Sequence, residues 1–203
     1  MIFAIPDIYN TGHSRPDRME KSLIQQHPNC LRFVCFGPES SGKTTLASQL
    51  AGAFDTDWVQ EQMRVYLQDK LDRTGLTCTP DDLIPIAKGQ MLEENEKAGQ
   101  GHRLIFLDTN LVQLETYAEY YYDGFCPEEI RQANRSNQYA HYFLTDIDTP
   151  WVPDDLRDRP LNREELFTIF ERKLMEYGLP YTLISGSPED RLAKASAIVQ
   201  QYA

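Results

Sequence analysis

The sequence has 203 residues, of which 41% are hydrophobic and 25% are charged, and its formal net charge is −11. This length and composition favour one globular domain with a large core, and the acidic excess disfavours a nucleic-acid partner, because neutralising phosphates requires a basic face. No apolar run approaches the ~20 residues that span a membrane, so we expect no membrane partner.

The four cysteines Cys30, Cys35, Cys78 and Cys126 lack the spacing of a metal knuckle or a redox pair. Cys35 falls inside an apolar run, which predicts a buried position. We therefore expect reduced thiols in a cytoplasmic protein.

Residues 1–29 are predicted to form an N-terminal extension, and residues 30–203 the main domain. The extension is rich in turn residues, among them Pro28 and Asn29. Its apolar start, residues 1–5, could pack on the main domain or on a neighbouring subunit, which leaves a homo-oligomer open.

Residues 31–50 organise the chain. Residues 31–36 are apolar and β-prone, which predicts a buried strand, residues 37–41 are turn formers, and a helix is predicted from Gly42 onward. Gly37, Gly42, Lys43 and Thr44 complete the pattern G-x-x-x-x-G-K-[ST]. The flanking strand and helix are what this pattern requires. A chance match is the alternative, and it would be rare in a chain of this length.

This pattern is typical of a loop that cradles phosphates with backbone N–H groups and the positive end of the following helix. Lys43 is placed to reach the β- and γ-phosphates of ATP, and the Thr44 hydroxyl is placed to bind Mg²⁺. The predicted nucleotide-binding residues are Gly37, Pro38, Glu39, Ser40, Ser41, Gly42, Lys43, Thr44 and Thr45.

The next segments continue the alternation of strands and helices. Residues 54–59 are predicted to form a second strand that delivers Glu61, and a helix follows it. Another helix is predicted from Pro80 to about Lys97. The apolar residues 103–107 predict a third strand that ends in Asp108, whose carboxylate could reach Mg²⁺ directly or through water.

The last third of the chain predicts a helix over residues 109–122, strands over 139–144 and 181–184, and helices over 163–177 and 189–200. The first of these helices carries Tyr117, Tyr120, Tyr121 and Tyr122. These tyrosines could form a stacking wall for a base, or they could pack between helix and sheet.

Strands that alternate with helices predict a parallel sheet covered on both faces. We therefore expect an α/β P-loop domain with five strands in the order 2-3-1-4-5, by analogy with small P-loop kinases. Because ligands bind at the carboxyl ends of such strands, Gly37, Glu61, Asp108 and Asp146 are predicted to share one edge.

Phosphoryl transfer requires positioning, neutralisation of charge and a group that takes the acceptor's proton. Glu61 is the predicted base or acceptor ligand, and Arg64 could clamp an acceptor or phosphate oxygen. The alternative is an ordinary surface pair between Glu61 and Arg64.

Residues 148–163 contain three prolines and mixed charge, which predicts a loop. Its arginines Arg157, Arg159 and Arg163 suit a lid that closes on the phosphates. Charge mixing on a solvated loop, with nearby aspartates pairing the arginines, is the alternative.

Together these motifs resemble the ribosylnicotinamide kinase domain of NadR-type proteins. The matching pieces are GPESSGKTTLASQLA at 37–51, IAKGQ at 86–90, LIFLDTN at 104–110 and DTPWVPDDLR at 148–157. The resemblance implies phosphorylation of the 5′-hydroxyl of nicotinamide riboside with ATP and Mg²⁺. It places Lys43 and Thr44 on ATP·Mg²⁺, Arg157 and Arg163 in the lid, and residues 185–190 beside adenine. It also places Glu61 and Asp108 near the acceptor and the metal.

One position departs from the family, which has an aromatic residue immediately before the glutamate where this chain has Gln60. The predicted acceptor-binding residues are Trp58, Gln60, Glu61, Arg64, Met91 and Asp108. A deoxynucleoside or nucleotide kinase and a regulatory nucleotide-binding ATPase are alternatives. The DNA-binding module of the larger family members has no counterpart in this sequence, so no operator DNA is expected.

Overall fold

The computed structural model describes residues 21–150 and 163–202. The predicted lid arginines Arg157 and Arg159 and the first 20 residues of the predicted extension lie outside the described residues. Within the described ranges, no helix is both long enough and apolar enough to cross a membrane.

Five strands and seven α-helices make up the described chain. In order they are β1 (Leu31–Phe36), α1 (Lys43–Ala53), β2 (Trp58–Val59), α2 (Gln62–Thr74), α3 (Leu83–Gly99), β3 (Leu104–Asp108), α4 (Leu111–Tyr121), α5 (Glu128–Ser136), β4 (His141–Thr145), α6 (Arg163–Glu176), β5 (Tyr181–Ile184) and α7 (Pro188–Val199). Short 3₁₀ turns lie at Lys21–Leu23, Pro80–Asp82 and Gln200–Tyr202.

The strands form one parallel sheet in the order β2-β3-β1-β4-β5, which confirms the predicted fold. The register pairs Cys35 with Asp108 and Phe36 with Leu144. The ends of β1, β3 and β4 therefore meet at one edge of the sheet, where β1 runs into the phosphate loop.

Alternate side chains of β1 enter two separate cores, as the two-residue period of a strand requires. Phe33 and Cys35 pack in a cluster with Leu46 and Leu50 of α1 and with α7. Val34 and Phe36 pack in the opposite cluster, which includes Phe170 of α6. Helices cover both faces, which explains why the central strands are apolar almost throughout.

Two local predictions were wrong. The second strand is only Trp58–Val59, because residues 54–57 form a turn. The Phe54 amide donates to Leu50 O at 3.0 Å at the end of α1, and Asp55 has φ +48°. No element was predicted for residues 123–138, where α5 forms. The sequence pattern that indicates α5 is Pro127 followed by two glutamates in the first turn. Ile130 and Ala133 are the apolar residues that this helix buries on one face.

Residues 21–29 fold onto the main domain. Leu23 is fully buried in a third cluster, against residues of α3, α4 and α5. The Gln26 amide donates to Asn95 Oδ1 at 2.7 Å, and Gln25 Nε2 donates to Glu94 Oε1 at 2.8 Å. Glu94 also pairs with the buried Arg32 at 2.8 Å. The division at residue 29 stays a prediction, but this part of the proposed extension is in contact with the main domain.

Leu23→Ala should lower the free energy of unfolding by about 2–4 kcal/mol, because it leaves a cavity in a closed apolar cluster. Urea denaturation of the full chain measures this change. The matched control is Leu92→Ala, since Leu92 is 70% exposed on α3, and its effect should stay within about 0.5 kcal/mol. Equal effects of the two substitutions would show that Leu23 is not packed as described.

Candidate active site

The phosphate loop, residues 37–42, needs glycine at both ends. Gly37 has φ +140°, and a Cβ there would lie 2.9 Å from Thr145 Oγ1 at the end of β4. Gly42 has φ +88° and forms the N-cap of α1. Both conformations are in the region that favours glycine, so the two glycines of the motif are explained by backbone shape and close approach.

Inside the loop, hydrogen bonds hold the polar side chains in place. The Lys43 ammonium is buried and donates to Pro38 O at 2.7 Å. Ser41 Oγ donates to the same oxygen at 2.7 Å and lies 2.6 Å from Thr145 Oγ1. The loop is therefore tied to the neighbouring strand, with a positive charge at its centre.

Thr44 and Asp108 meet beside the loop. Thr44 Oγ1, on the first turn of α1, donates to Asp108 Oδ2 at 2.5 Å. The other carboxylate oxygen, Asp108 Oδ1, is buried and has no hydrogen-bond partner among the described residues. A hydroxyl and a carboxylate are hard oxygen donors of the kind that Mg²⁺ prefers. The described residues contain no cluster of three or more His, Cys, Asp or Glu that could hold a metal, so further ligands would have to be phosphate oxygens and water.

The turn after β3 fixes the position of Asp108. Thr109 has φ +75°, an uncommon conformation for a β-branched residue, and its amide donates to Cys35 O at 3.1 Å. Asn110 caps α4 and donates through Nδ2 to Tyr142 OH at 2.8 Å. Bonds to β1 and β4 therefore lock this strained turn.

Two arginines support the loop from outside. Arg191 of α7 is buried and donates to Ser41 O at 2.7 Å, Gly186 O at 3.0 Å and Asp146 O at 3.2 Å, and it pairs with Asp148. Sequence reasoning missed Arg191, because an arginine in an amphipathic helix usually faces solvent.

Arg163, at the start of α6, is the other support. It donates to Ser40 O at 3.2 Å and to Thr149 O at 2.9 Å. The structure therefore places this predicted lid residue against the backbone of the phosphate loop. Its role in a lid stays a prediction.

A cavity of about 670 Å³ begins at the loop and extends between α2 and α4. Its loop end is lined by residues 39–45, and Glu61 and Arg64 also line the cavity. Its far end is lined by Leu67, Leu71, Leu76, Cys78, Leu114, Tyr117, Tyr121 and Tyr122. One continuous space therefore joins a phosphate-binding end to an apolar and aromatic end.

Glu61 has an unusual environment for a carboxyl group. Its pKa is raised to about 7, mainly by burial and also by the negative charge of Asp108, while Lys43 and Arg64 act in the opposite direction. Burial also raises the pKa of Asp108, against the lowering effects of Lys43 and the Thr44 hydroxyl. A carboxyl that titrates near neutral pH can accept a proton during catalysis.

Of the six predicted acceptor residues, Glu61 and Arg64 line this cavity, whereas Trp58, Gln60, Met91 and Asp108 do not. Trp58 faces the α1 side of the sheet and packs beside the cluster of Phe33 and Leu46. Gln60 is exposed, and Met91 is fully buried on the inner face of α3. Side chains alternate along β2, which explains why Trp58 points away from the cavity. Met91 lies on the apolar face of α3, which explains its burial in the core.

Tyrosines of α4 form the aromatic wall instead. Tyr117, Tyr121 and Tyr122 line the cavity, and Tyr117 also packs edge-on against Phe170, with ring centroids 5.1 Å apart. Tyr117 therefore contacts the core and the cavity at once, and a role of these tyrosines in stacking on a base stays a prediction. Tyr120 does not line the cavity.

The sheet order, the phosphate loop and the carboxylate at the end of β3 define a P-loop α/β domain of the kinase fold. Residues 32–191 match the family model AAA_28, an AAA domain. The chain belongs to that AAA domain family.

The chain is 26% identical over 156 residues to the trifunctional NAD biosynthesis/regulator protein NadR of Escherichia coli (strain K12), covering 76% of this chain and 38% of that protein. It is also similar to the solved structure of NadR in complex with NR (TM-score 0.70, 20% identity, 87% of this chain and 52% of that one). The structure of NadR with NAD and AMP-PNP is similar too (TM-score 0.69, 19% identity, 87% and 50%).

The chain thus spans about half the length of these solved relatives and 38% of the E. coli protein. The resemblance to NadR-type proteins that the motifs predicted is confirmed. The similarity to the solved structures, at 20% and 19% identity, establishes a shared fold and no more.

Asp108→Asn should lower the pKa of Glu61 from about 7, because it removes the like charge beside that carboxyl. NMR of ¹³C-labelled glutamate carboxyls measures the titration. Asp69→Asn is the control, since Asp69 is exposed on α2, and it should leave the Glu61 pKa in place. An unchanged pKa in Asp108→Asn would contradict the arrangement.

The same shift predicts how Glu61 affects stability. A raised carboxyl pKa means that the folded state holds the proton more tightly than the unfolded chain. The contribution of Glu61 to stability is therefore lost as the pH rises from about 4.5 through about 7.

Proposed function

We propose that this chain is an ATP-dependent kinase that transfers the γ-phosphoryl group to a hydroxyl of a small ribosyl or nucleoside acceptor, with nicotinamide riboside as the leading candidate. The observation that carries the proposal is the shared cavity: the phosphate loop and Glu61 line one space, which ends in a wall of tyrosines.

At the loop end, the backbone amides and Lys43 would bind the phosphates of ATP, and Thr44 with Asp108 would hold Mg²⁺. The orphan oxygen Asp108 Oδ1 and its neighbour Thr44 Oγ1 suit that ion. When bound, Mg²⁺ neutralises charge on the transferred phosphoryl group. Lys43 supplies a second positive charge from the protein itself.

Glu61 would take the proton of the acceptor hydroxyl. It lines the cavity that the phosphate loop and the tyrosines also line, and direct transfer requires the acceptor hydroxyl to sit within reach of both Glu61 and the phosphates. Its pKa of about 7 suits a group that must accept a proton at neutral pH and later release it.

The aromatic end favours an acceptor with a flat ring. Tyr117 is flanked by the carboxylates of Glu39 and Glu61, so a positively charged ring would be attracted both by the ring faces and by the acidic groups. Nicotinamide riboside carries such a ring, and NR is the ligand in one solved NadR structure. A neutral nucleoside would use the same stacking surface without the charge attraction, which keeps a deoxynucleoside or nucleotide kinase as the second candidate.

A panel of nucleosides incubated with ATP and Mg²⁺ tests the proposal, with mass spectrometry of the products. We expect phosphorylated nicotinamide riboside, and we expect Lys43→Ala to form none because it removes the charge that binds the phosphates. Lys88→Ala, at an exposed site on α3, is the matched control and should stay active.

Phosphorylation of another nucleoside instead would favour the second candidate. Tight ATP binding without any phosphorylated acceptor would refute the kinase proposal and favour a regulatory ATPase.

Glu61→Gln should lower kcat by about 10²-fold or more, because it removes the proton acceptor. The KM for ATP should change by no more than about twofold, since the loop is intact. Steady-state kinetics measure both values, and Glu96→Gln at an exposed site on α3 is the control. Equal losses in turnover and ATP affinity would assign Glu61 a structural role.

A further inference from the structure

A second, much smaller cavity of about 10 Å³ lies next to the first, and Glu61 lines both. The small cavity is enclosed by the turn after β3 and by α3 and α4. Four of its nine lining residues are apolar, and the other five are Glu61, Gln90, Thr109, Asn110 and Gln113.

The orientation of both amide groups is fixed by the backbone donors that they accept from. Gln90 Oε1 accepts from the Gln62 amide at 3.0 Å, at the first residue of α2. Gln113 Oε1 accepts from the Gly37 amide at 3.4 Å, at the first residue of the phosphate loop. The NH₂ group of each side chain is therefore the end that is left for another partner.

Neither NH₂ group has such a partner within residues 21–150 and 163–202. Gln90 is 3% exposed and Gln113 is 1% exposed, so bulk solvent does not reach them. Buried donors in native proteins are almost always paired, either with protein or with ordered water. Two such donors that line one cavity beside a carboxyl group point to a shared polar ligand.

The size of the cavity limits that ligand to one small molecule. A single water needs roughly 10–15 Å³ of accessible volume and two to four polar partners. A water accepts two hydrogen bonds and donates two, which matches two amide donors and a carboxylate acceptor. No larger group of the acceptor fits this volume.

We propose that the small cavity is a binding site for one water molecule, which accepts hydrogen bonds from Gln90 and Gln113 and donates one to Glu61. Through this water the two glutamines act as positioning residues for Glu61, and this role rests on the kinase function proposed above. One carboxylate oxygen is held by the water, and the other remains for the acceptor hydroxyl.

The water would also couple Glu61 to the phosphate loop. Gln113 is bonded to Gly37, where the loop begins, and Gln90 is bonded to Gln62, next to Glu61 in the chain. The position of the proton acceptor is therefore set relative to the bound phosphates, as a direct transfer between them requires.

A crystal structure of the full chain at about 1.5 Å resolution tests the site itself, independently of any activity. We expect density for one water about 2.7–3.2 Å from both amide nitrogens and from a Glu61 oxygen. A site without that density, or with either amide rotated onto a protein partner, would overturn the proposal. If the wild-type protein phosphorylates no acceptor, the kinase proposal fails and this crystallographic result alone decides the water site.

A double-mutant cycle tests the positioning role. Gln90→Met should lower kcat about tenfold, with a KM for ATP within about twofold of wild type. In a Glu61→Gln background the same substitution should have no further effect on kcat, because its effect passes through Glu61. Gln132→Met, the same change at an exposed site on α5, should leave kcat unchanged.

Losses that multiply in the double variant would overturn the positioning role. If Gln90→Met does not fold, Gln90→Glu repeats the cycle, because it keeps the oxygen that accepts from Gln62 and removes the NH₂ donor. In that second cycle, no further loss of kcat in the Glu61→Gln background would support the positioning role, and losses that multiply would overturn it.

Discussion

The backbone of the phosphate loop is the feature on which the rest of the site depends. Its carbonyl groups are bonded to surrounding side chains: Ser40 O accepts from Arg163 and Thr149, and Ser41 O accepts from Arg191. Because these carbonyls are directed outward, the amides of the loop can face its interior. Successive amides arranged in this way form a site for an anion, so the backbone of the loop is already in place when the anion binds.

One buried cation and two carboxyl groups surround this site. Lys43 provides the positive charge inside the loop. Burial raises the pKa of both Glu61 and Asp108, and the negative charge of Asp108 also raises the pKa of Glu61. Burial makes both carboxyls costly to ionise. An Mg²⁺ ion beside Asp108 would lower the cost of ionising that carboxyl, and a proton taken from an acceptor would neutralise Glu61. The charges that are unfavourable in the free protein therefore suit the proposed reaction.

Local patterns predicted the loop and placed Thr44 and Asp108 at one metal site, because fixed spacings and strand ends determine them, whereas the sheet order was predicted by analogy with small P-loop kinases. Contacts between distant segments could not be predicted in the same way. Arg191 reaches the loop from a helix 150 residues away in the chain, and nothing in its local sequence marks it as buried. The tyrosines that line the cavity come from α4 and its C-cap Tyr122, whereas Trp58 faces the α1 side of the sheet because side chains alternate along β2.

A crystal structure of the full chain with a non-hydrolysable ATP analogue and Mg²⁺ tests the central claim most directly. We expect the triphosphate inside residues 37–44, with Lys43 Nζ moved from Pro38 O to a phosphate oxygen. We also expect the metal between Thr44 Oγ1 and Asp108. An analogue bound elsewhere, with Lys43 still on Pro38 O and no metal beside Asp108, would contradict that claim.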